Sequence, residues 1–141
     1  MTETESAYVA GIIDGEGSIG LTWRKSSYRG KKILRVQLQI GMCNEEVIAY
    51  ISKLFGQAFC ESVTCDGRPR WSINVGGMQT IKDIMSTVYK YLIVKRPQAD
   101  VMLEYIDSRQ ARTSSKTYTD HELGCYERLR KLNLRGTIER D

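Results

Sequence analysis

Two carboxylates stand near the start of the chain, Asp14 and Glu16, separated by Gly15 and followed by Gly17. They close the apolar run YVAGII, and that arrangement has two readings. The run can be a buried helix ended by a glycine C-cap, its acids merely solvated, or a helix that delivers a carboxylate to a site. An acid at a helix C-terminus meets the unfavourable end of the macrodipole, at a cost of about 0.3–1 kcal/mol unless a cation compensates. A bound divalent metal would compensate, which sets Glu16 apart from an ordinary surface acid.

Other routes to chemistry are thin. His121 is the single histidine, lies in the polar stretch TYTDHE, and is expected at the surface. Cys43, Cys60, Cys65 and Cys125 form no CxxC pair, so a zinc cluster is not expected and the thiols read as structural.

The elements that must position the acids follow from hydrophobic period. SIGLTWRKSSY alternates, with Ile19, Leu21 and Trp23 on one face and Ser18, Gly20, Thr22, Arg24 and Ser26 on the other. KILRVQLQIGMC does the same, with Leu34, Val36, Leu38, Ile40 and Met42 opposite Arg35, Gln37, Gln39 and Gly41. A helix is expected from about Glu45 to Phe55 and is closed by Gly56. Two strands follow, QAFCESVTC and RWSINV, joined through Asp66-Gly67. In the second, Trp71, Ile73 and Val75 face inward and Arg70, Ser72 and Asn74 outward. A third helix is expected over Met78 to Tyr91, a fourth opens at Pro97, and a last amphipathic helix carries Leu123, Tyr126, Leu129 and Leu132. The order predicts an α+β chain with one antiparallel four-stranded sheet backed by helices, within a single domain spanning residues 1–141.

The bare face of that sheet reads either as an ordinary solvated surface or as a surface for a nucleic-acid partner. Net charge is only +4, but the stretch from Trp23 to Arg35 holds Arg24, Lys25, Arg29, Lys31, Lys32 and Arg35 without one acid, interleaved with Ser, Tyr and Trp. Arg and Gln pair bidentately with guanine and adenine edges in a major groove. Ser18, Thr22, Arg24, Ser26, Tyr28, Arg29, Lys31, Lys32, Arg35, Gln37, Gln39, Arg70, Ser72 and Asn74 are therefore candidate DNA-binding residues. The N-terminus MTETESAY has acids where a signal peptide needs basic residues, and no apolar run is long enough to span a membrane. An intracellular chain, cytoplasmic or organellar, is expected.

Val9-Ala10-Gly11-Ile12-Ile13-Asp14-Gly15-Glu16-Gly17 closely resembles the nine-residue signature of the LAGLIDADG homing endonucleases. The resemblance extends through the αββαββα order, and Lys95-Arg96-Pro97-Gln98-Ala99 looks like the family's loop bearing a basic residue before a helix. It covers about residues 6–108; the helical segment of about 109–141 lies outside it.

The resemblance implies a metal-dependent DNA endonuclease. The last acid of the motif coordinates the metal in the family, which assigns Glu16, assisted by the Gly15 carbonyl, to Mg2+ or another divalent cation such as Mn2+. The family more often has Asp there. A single motif implies a homodimer whose motif helices pair through Val9, Ala10, Gly11, Ile13 and Asp14. Lys95 matches the family's basic residue near the scissile phosphate, and Asn44 is the candidate for its polar residue after the second strand. Double-stranded DNA is the implied partner, with no small-molecule cofactor and no membrane. Two other uses of the fold stay open: an RNA-binding intron splicing cofactor (maturase), and a non-cleaving DNA-binding regulator. Both predict decay of the acid that Glu16 retains.

Overall fold

The computed structural model describes residues 1–26, 30–112 and 117–134. Helix α1, Glu3–Glu16, opens on a capping box in which the Thr2 hydroxyl accepts the Glu5 amide and the Glu5 carboxylate accepts the Thr2 amide. It passes without a loop into strand β1, Gly17–Lys25. The junction requires the motif's last glycine, because a Cβ at Gly17 would lie 2.8 Å from the Ile13 Cα. Strand β2, Lys32–Met42, leads to α2, Glu45–Phe55; β3, Phe59–Val63, and β4, Pro69–Val75, form the second hairpin. Helix α3, Met78–Val88, is followed by a 3-10 turn at Tyr89–Tyr91, then α4, Arg96–Ala111, and α5, Asp120–Asn133. The strands make one antiparallel sheet in the order β1-β2-β4-β3, so the chain is α+β as its periodicity predicts.

Register puts the apolar alternation on one side. Ile19, Leu38 and Val75 form one cross-strand row, and Leu21 and Val36 another; all are buried. Against them lie Val9, Ala10 and Ile13 of α1, Ile48 and Ile51 of α2, the Ile81, Ile84, Met85, Val88 stripe of α3, and Met102, Tyr105 and Ile106 of α4. Each such side chain contributes about 1.5–3 kcal/mol by leaving water. The opposite side carries the rows Ser18–Gln39–Asn74, Thr22–Arg35 and Gly41–Ser72–Cys60. No helix among the described residues is long and apolar enough to cross a membrane.

Several expectations are corrected. Val9, Ala10 and Ile13 cannot form a partner interface, because all three are fully buried in this chain's own core. The residues of α1 that face outward are Thr4, Ala7, Tyr8, Gly11 and Gly15, on the other side of the helix. The third helix stops at Val88, where the 3-10 turn takes over, and β3 is shorter than QAFCESVTC and exposed throughout. Trp23 has the inward parity but stands past the end of the core, 39% exposed, with its ring edge-on to Tyr118 and Tyr126. The buried stripe of α5 is Glu122, Cys125 and Leu129, leaving Leu123 and Leu132 exposed.

Helix α5 is locked to α4 by a buried carboxylate. Glu122 accepts from the Thr119 amide, from the Ser108 hydroxyl and from the Arg112 guanidinium, with Arg109 at 3.5 Å. Burial pushes its carboxyl up, but these donors outweigh that and hold it below the ordinary carboxylate value.

Candidate active site and nucleic-acid interface

Where α1 ends, four parts of the chain converge on a recess of about 340 Å³ lined by Gly15, Glu16, Gly17, Ser18, Arg70, Lys95 and Asn133. Glu16 is exposed at the helix terminus, and the last turn of α1 carries no basic residue to offset it. No ion pair or hydrogen bond engages its carboxylate among the described residues, so it is free to take a cation.

Lys95 arrives from the other end of the fold. It is the N-cap residue of α4 and is 5% exposed. Asp14 puts it there: its carboxylate accepts the backbone amides of Ile93 at 2.8 Å, Val94 at 3.1 Å and Lys95 at 2.9 Å. Three amides on one carboxylate form a charge-assisted clamp that fixes the loop before α4. Asp14 is thus a positioning residue. Its carboxylate is committed to bonds within the chain. The two acids of the motif have separate tasks, one pinning a loop and one facing solvent.

Two further members were not read as part of this site from the sequence. Arg70 has outward parity on β4 and looks like a base reader; its guanidinium instead lies over Gly41, where a Cβ would come within 2.9 Å of its Cζ. Asn133 comes from the last turn of α5 and donates to the Ile19 carbonyl at 2.7 Å, tying α5 to β1 beside the recess. Only its distance along the chain hid it, since an isolated Asn near a helix end carries no signal.

Asn44 is corrected. It does not line the recess; its side chain accepts the Val47 amide at 3.1 Å and caps α2.

The remaining polar residues spread over the sheet. A shallower groove of about 330 Å³ has Thr22, Arg24, Arg35, Gln37 and Asn74 among its lining. Gln37 donates to the Asn74 side chain at 3.3 Å, a contact between β2 and β4 that orients both amides. The Thr22 hydroxyl is enclosed without a partner among the described residues. Gln39 and Ser72 lie farther along the same face, and Lys31 and Lys32 are exposed at the β1–β2 end. Ser26 is half-buried just past β1, its amide donating to the Lys31 carbonyl at 2.6 Å. Tyr28 and Arg29 lie outside the described residues.

No family model matches the sequence, and no curated protein does. Solved structures do match. The archaeal intron-encoded homing endonuclease I-Vdi141I, complexed with DNA, superposes with a TM-score of 0.76 at 17% identity over 99% of this chain and 90% of its own. The homing endonuclease I-CvuI, in complex with its target in the presence of Ca, gives 0.63 at 22% identity over 92% and 95%. The LAGLIDADG homing endonuclease I-SmaMI, bound to cleaved DNA, gives 0.67 at 19% identity over 88% of this chain, which spans 42% of I-SmaMI.

Proposed function

We propose that this chain, which has the fold of the LAGLIDADG homing endonucleases, is an intron-encoded, site-specific double-strand DNA endonuclease that works as a homodimer with a divalent cation on a long pseudo-palindromic target. The observation that carries this reading is the recess itself: a carboxylate at a helix C-terminus that makes no ion pair among the described residues, next to a clamped lysine, at the margin of a polar sheet face.

The donors present suit a hard cation. The Glu16 carboxylate and the Gly15 carbonyl offer oxygen ligands of the kind Mg2+ and Mn2+ take. Among the described residues no three His, Cys, Asp or Glu side chains gather into a metal-binding group. Glu16 would be the carboxylate that this chain offers, and in a homodimer a second copy's Glu16 and phosphate oxygens would complete the ligand set. The chemistry that a divalent cation held there would supply is a lowered pKa for a water and stabilisation of negative charge on a phosphate oxygen.

This chain's own residues do the rest. Lys95 is held near a phosphate by the Asp14 clamp and stabilises negative charge as it develops there. Arg24, Arg35 and the Gln, Ser and Thr side chains of the sheet read base edges, and the exposed lysines hold the backbone. The outward face of α1 supports the dimer: a Cβ at Gly11 or Gly15 would meet nothing within 4 Å, so a second helix has room to approach closely.

The test is incubation of purified protein with a plasmid library carrying randomised inserts, in Mg2+ and in chelator. Cutting of a symmetric site in Mg2+ alone supports the reading. Binding without cutting would make the chain a regulator, and selective binding of intron RNA a splicing cofactor; either result overturns it.

A further inference from the structure

Arg70 is the side chain that neither alternation nor the motif accounts for. It leaves β4 on the outward face of the sheet, paired with Ser62 on β3 and one residue outside the β2–β4 ladder, which begins at Met42–Trp71. Its head does not stand out toward a groove. It lies along the sheet, across β2 at Gly41, so close that a Cβ there would fall within 2.9 Å of both its Cζ and its Nε. The β1–β2 ladder ends beside that path, at the pair Gly17–Ile40, with Gly41 following Ile40 on β2 and Glu16 preceding Gly17 at the end of α1. The guanidinium therefore crosses β2 at the one outward position with no side chain and enters the recess shared by Glu16 and Lys95.

Its surroundings there match an anion. Arg70 is half-buried, and among the described residues no acceptor meets its guanidinium, not even the Glu16 carboxylate in the same recess. A planar fork of donors, half desolvated and without a protein acceptor, is the arrangement that takes a phosphate bidentately. Lys95 adds a second positive charge from α4. A base edge is the poorer fit, because a reader must extend from the sheet into the groove, whereas this side chain is folded back along it.

We propose that Arg70 is a catalytic residue that binds a non-bridging oxygen pair of the scissile phosphate, and that Gly41 is the slot through which it reaches that phosphate. The inference rests on the endonuclease reading above. Arg70 takes no proton and breaks no bond; it holds the phosphate in line for the displacement and offsets the charge of its transition state.

The experiment measures single-turnover cleavage and, separately in chelator, affinity for the site recovered from the plasmid library. Arg70→Ala is expected to slow cleavage by about tenfold to a thousandfold, with affinity changed by less than about tenfold, the equivalent of 1.4 kcal/mol. Arg70→Lys should recover part of the rate, since a point charge replaces the fork. Gly41→Ala should slow cleavage with Arg70 intact, because the flexible guanidinium gives way before the backbone does. Combined with Arg70→Ala it should add nothing, since both changes remove one contact. Circular dichroism of Gly41→Ala checks that the chain stays folded.

Three results overturn the proposal. Wild-type cleavage rates in Arg70→Ala would exclude Arg70 from the reaction, as would a rate restored to wild type on a site changed at one base pair, the mark of a base reader. Additive losses in the double variant would remove Gly41 as its slot. If the unaltered chain cuts no DNA in Mg2+ or Mn2+, the endonuclease reading itself fails and this inference with it, an outcome distinct from cutting that ignores Arg70.

Discussion

The recess at the end of α1 and the open face of the sheet are both polar surfaces that share strands β1 and β4, yet they are built by opposite means. On the open face, each side chain is placed by its own strand. Alternation turns it outward, register sets its neighbour, and Gln37 meets Asn74 because their rows adjoin. Losing one residue leaves the strand positions of the others where they were. In the recess three members beside the α1 end are placed by something remote: Lys95 by Asp14 across the fold, Arg70 by the absence of a side chain at Gly41, Asn133 by the docking of α5. Here one substitution moves another residue. A reading surface tolerates independent change, and a reacting centre, which needs its groups within a fraction of an ångström, does not.

The sharpest break in that contrast comes from Glu16→Gln. It keeps size and hydrogen bonding but removes the anion, so Mg2+-dependent cleavage should fall below detection while affinity for the target in chelator stays within about tenfold. Cleavage surviving in this variant would remove Glu16 from metal binding.

Next in size is Asp14→Ala, which strips the acceptor from three amides at once. Hydrogen bonds to a charged group contribute about 1.5–3 kcal/mol, and two of these three are exposed to solvent, so denaturant titration should show a loss toward the lower end of that range. Cleavage should fall as well, because the loop bearing Lys95 is released, while base preference at the outer positions of the site should not change. Full cleavage with reduced stability would show that Lys95 needs no clamp.

Glu122 tests whether α5 belongs to the centre. Its carboxyl is held below its ordinary value in the folded chain, so it contributes stability that is present above the unfolded-state pKa and lost as pH falls through the folded one. Glu122→Gln should destabilise the chain at neutral pH and flatten the loss of stability across the acidic carboxylate range. An unchanged acid limb would assign that limb to other carboxylates. Arg109 and Arg112 are partly exposed, which keeps the neutral-pH loss below the 3–5 kcal/mol of a fully buried broken pair.

The smallest effects belong to the open face. Gln37→Ala should cost about 1–3 kcal/mol of discrimination at one position in each half-site, whereas Lys32→Ala should lower the salt slope of binding by about one and leave preference intact. Effects of Gln37→Ala spread evenly over the site would show that this face holds backbone and reads no bases.

The sequence by itself determined the sheet and its two faces, because a period of two is imposed by the strand backbone and needs no tertiary partner. It also determined the helix that ends in Glu16, through the glycines that permit its abrupt turn into β1. It failed wherever a position's role depends on what lies across the fold. Val9, Ala10 and Ile13 carry the motif's apolar and small residues, but only packing shows that they face inward, leaving Gly11 outward. Asn44 follows the second strand as a site residue should, yet α2 claims its side chain as a cap. Asp14 and Lys95 are separated by some 80 residues, and Arg70 shares the parity of its neighbours on β4. Their meeting at Glu16 is a long-range fact, set by a carboxylate that gathers three distant amides and by a glycine that leaves a gap, and no local period records either.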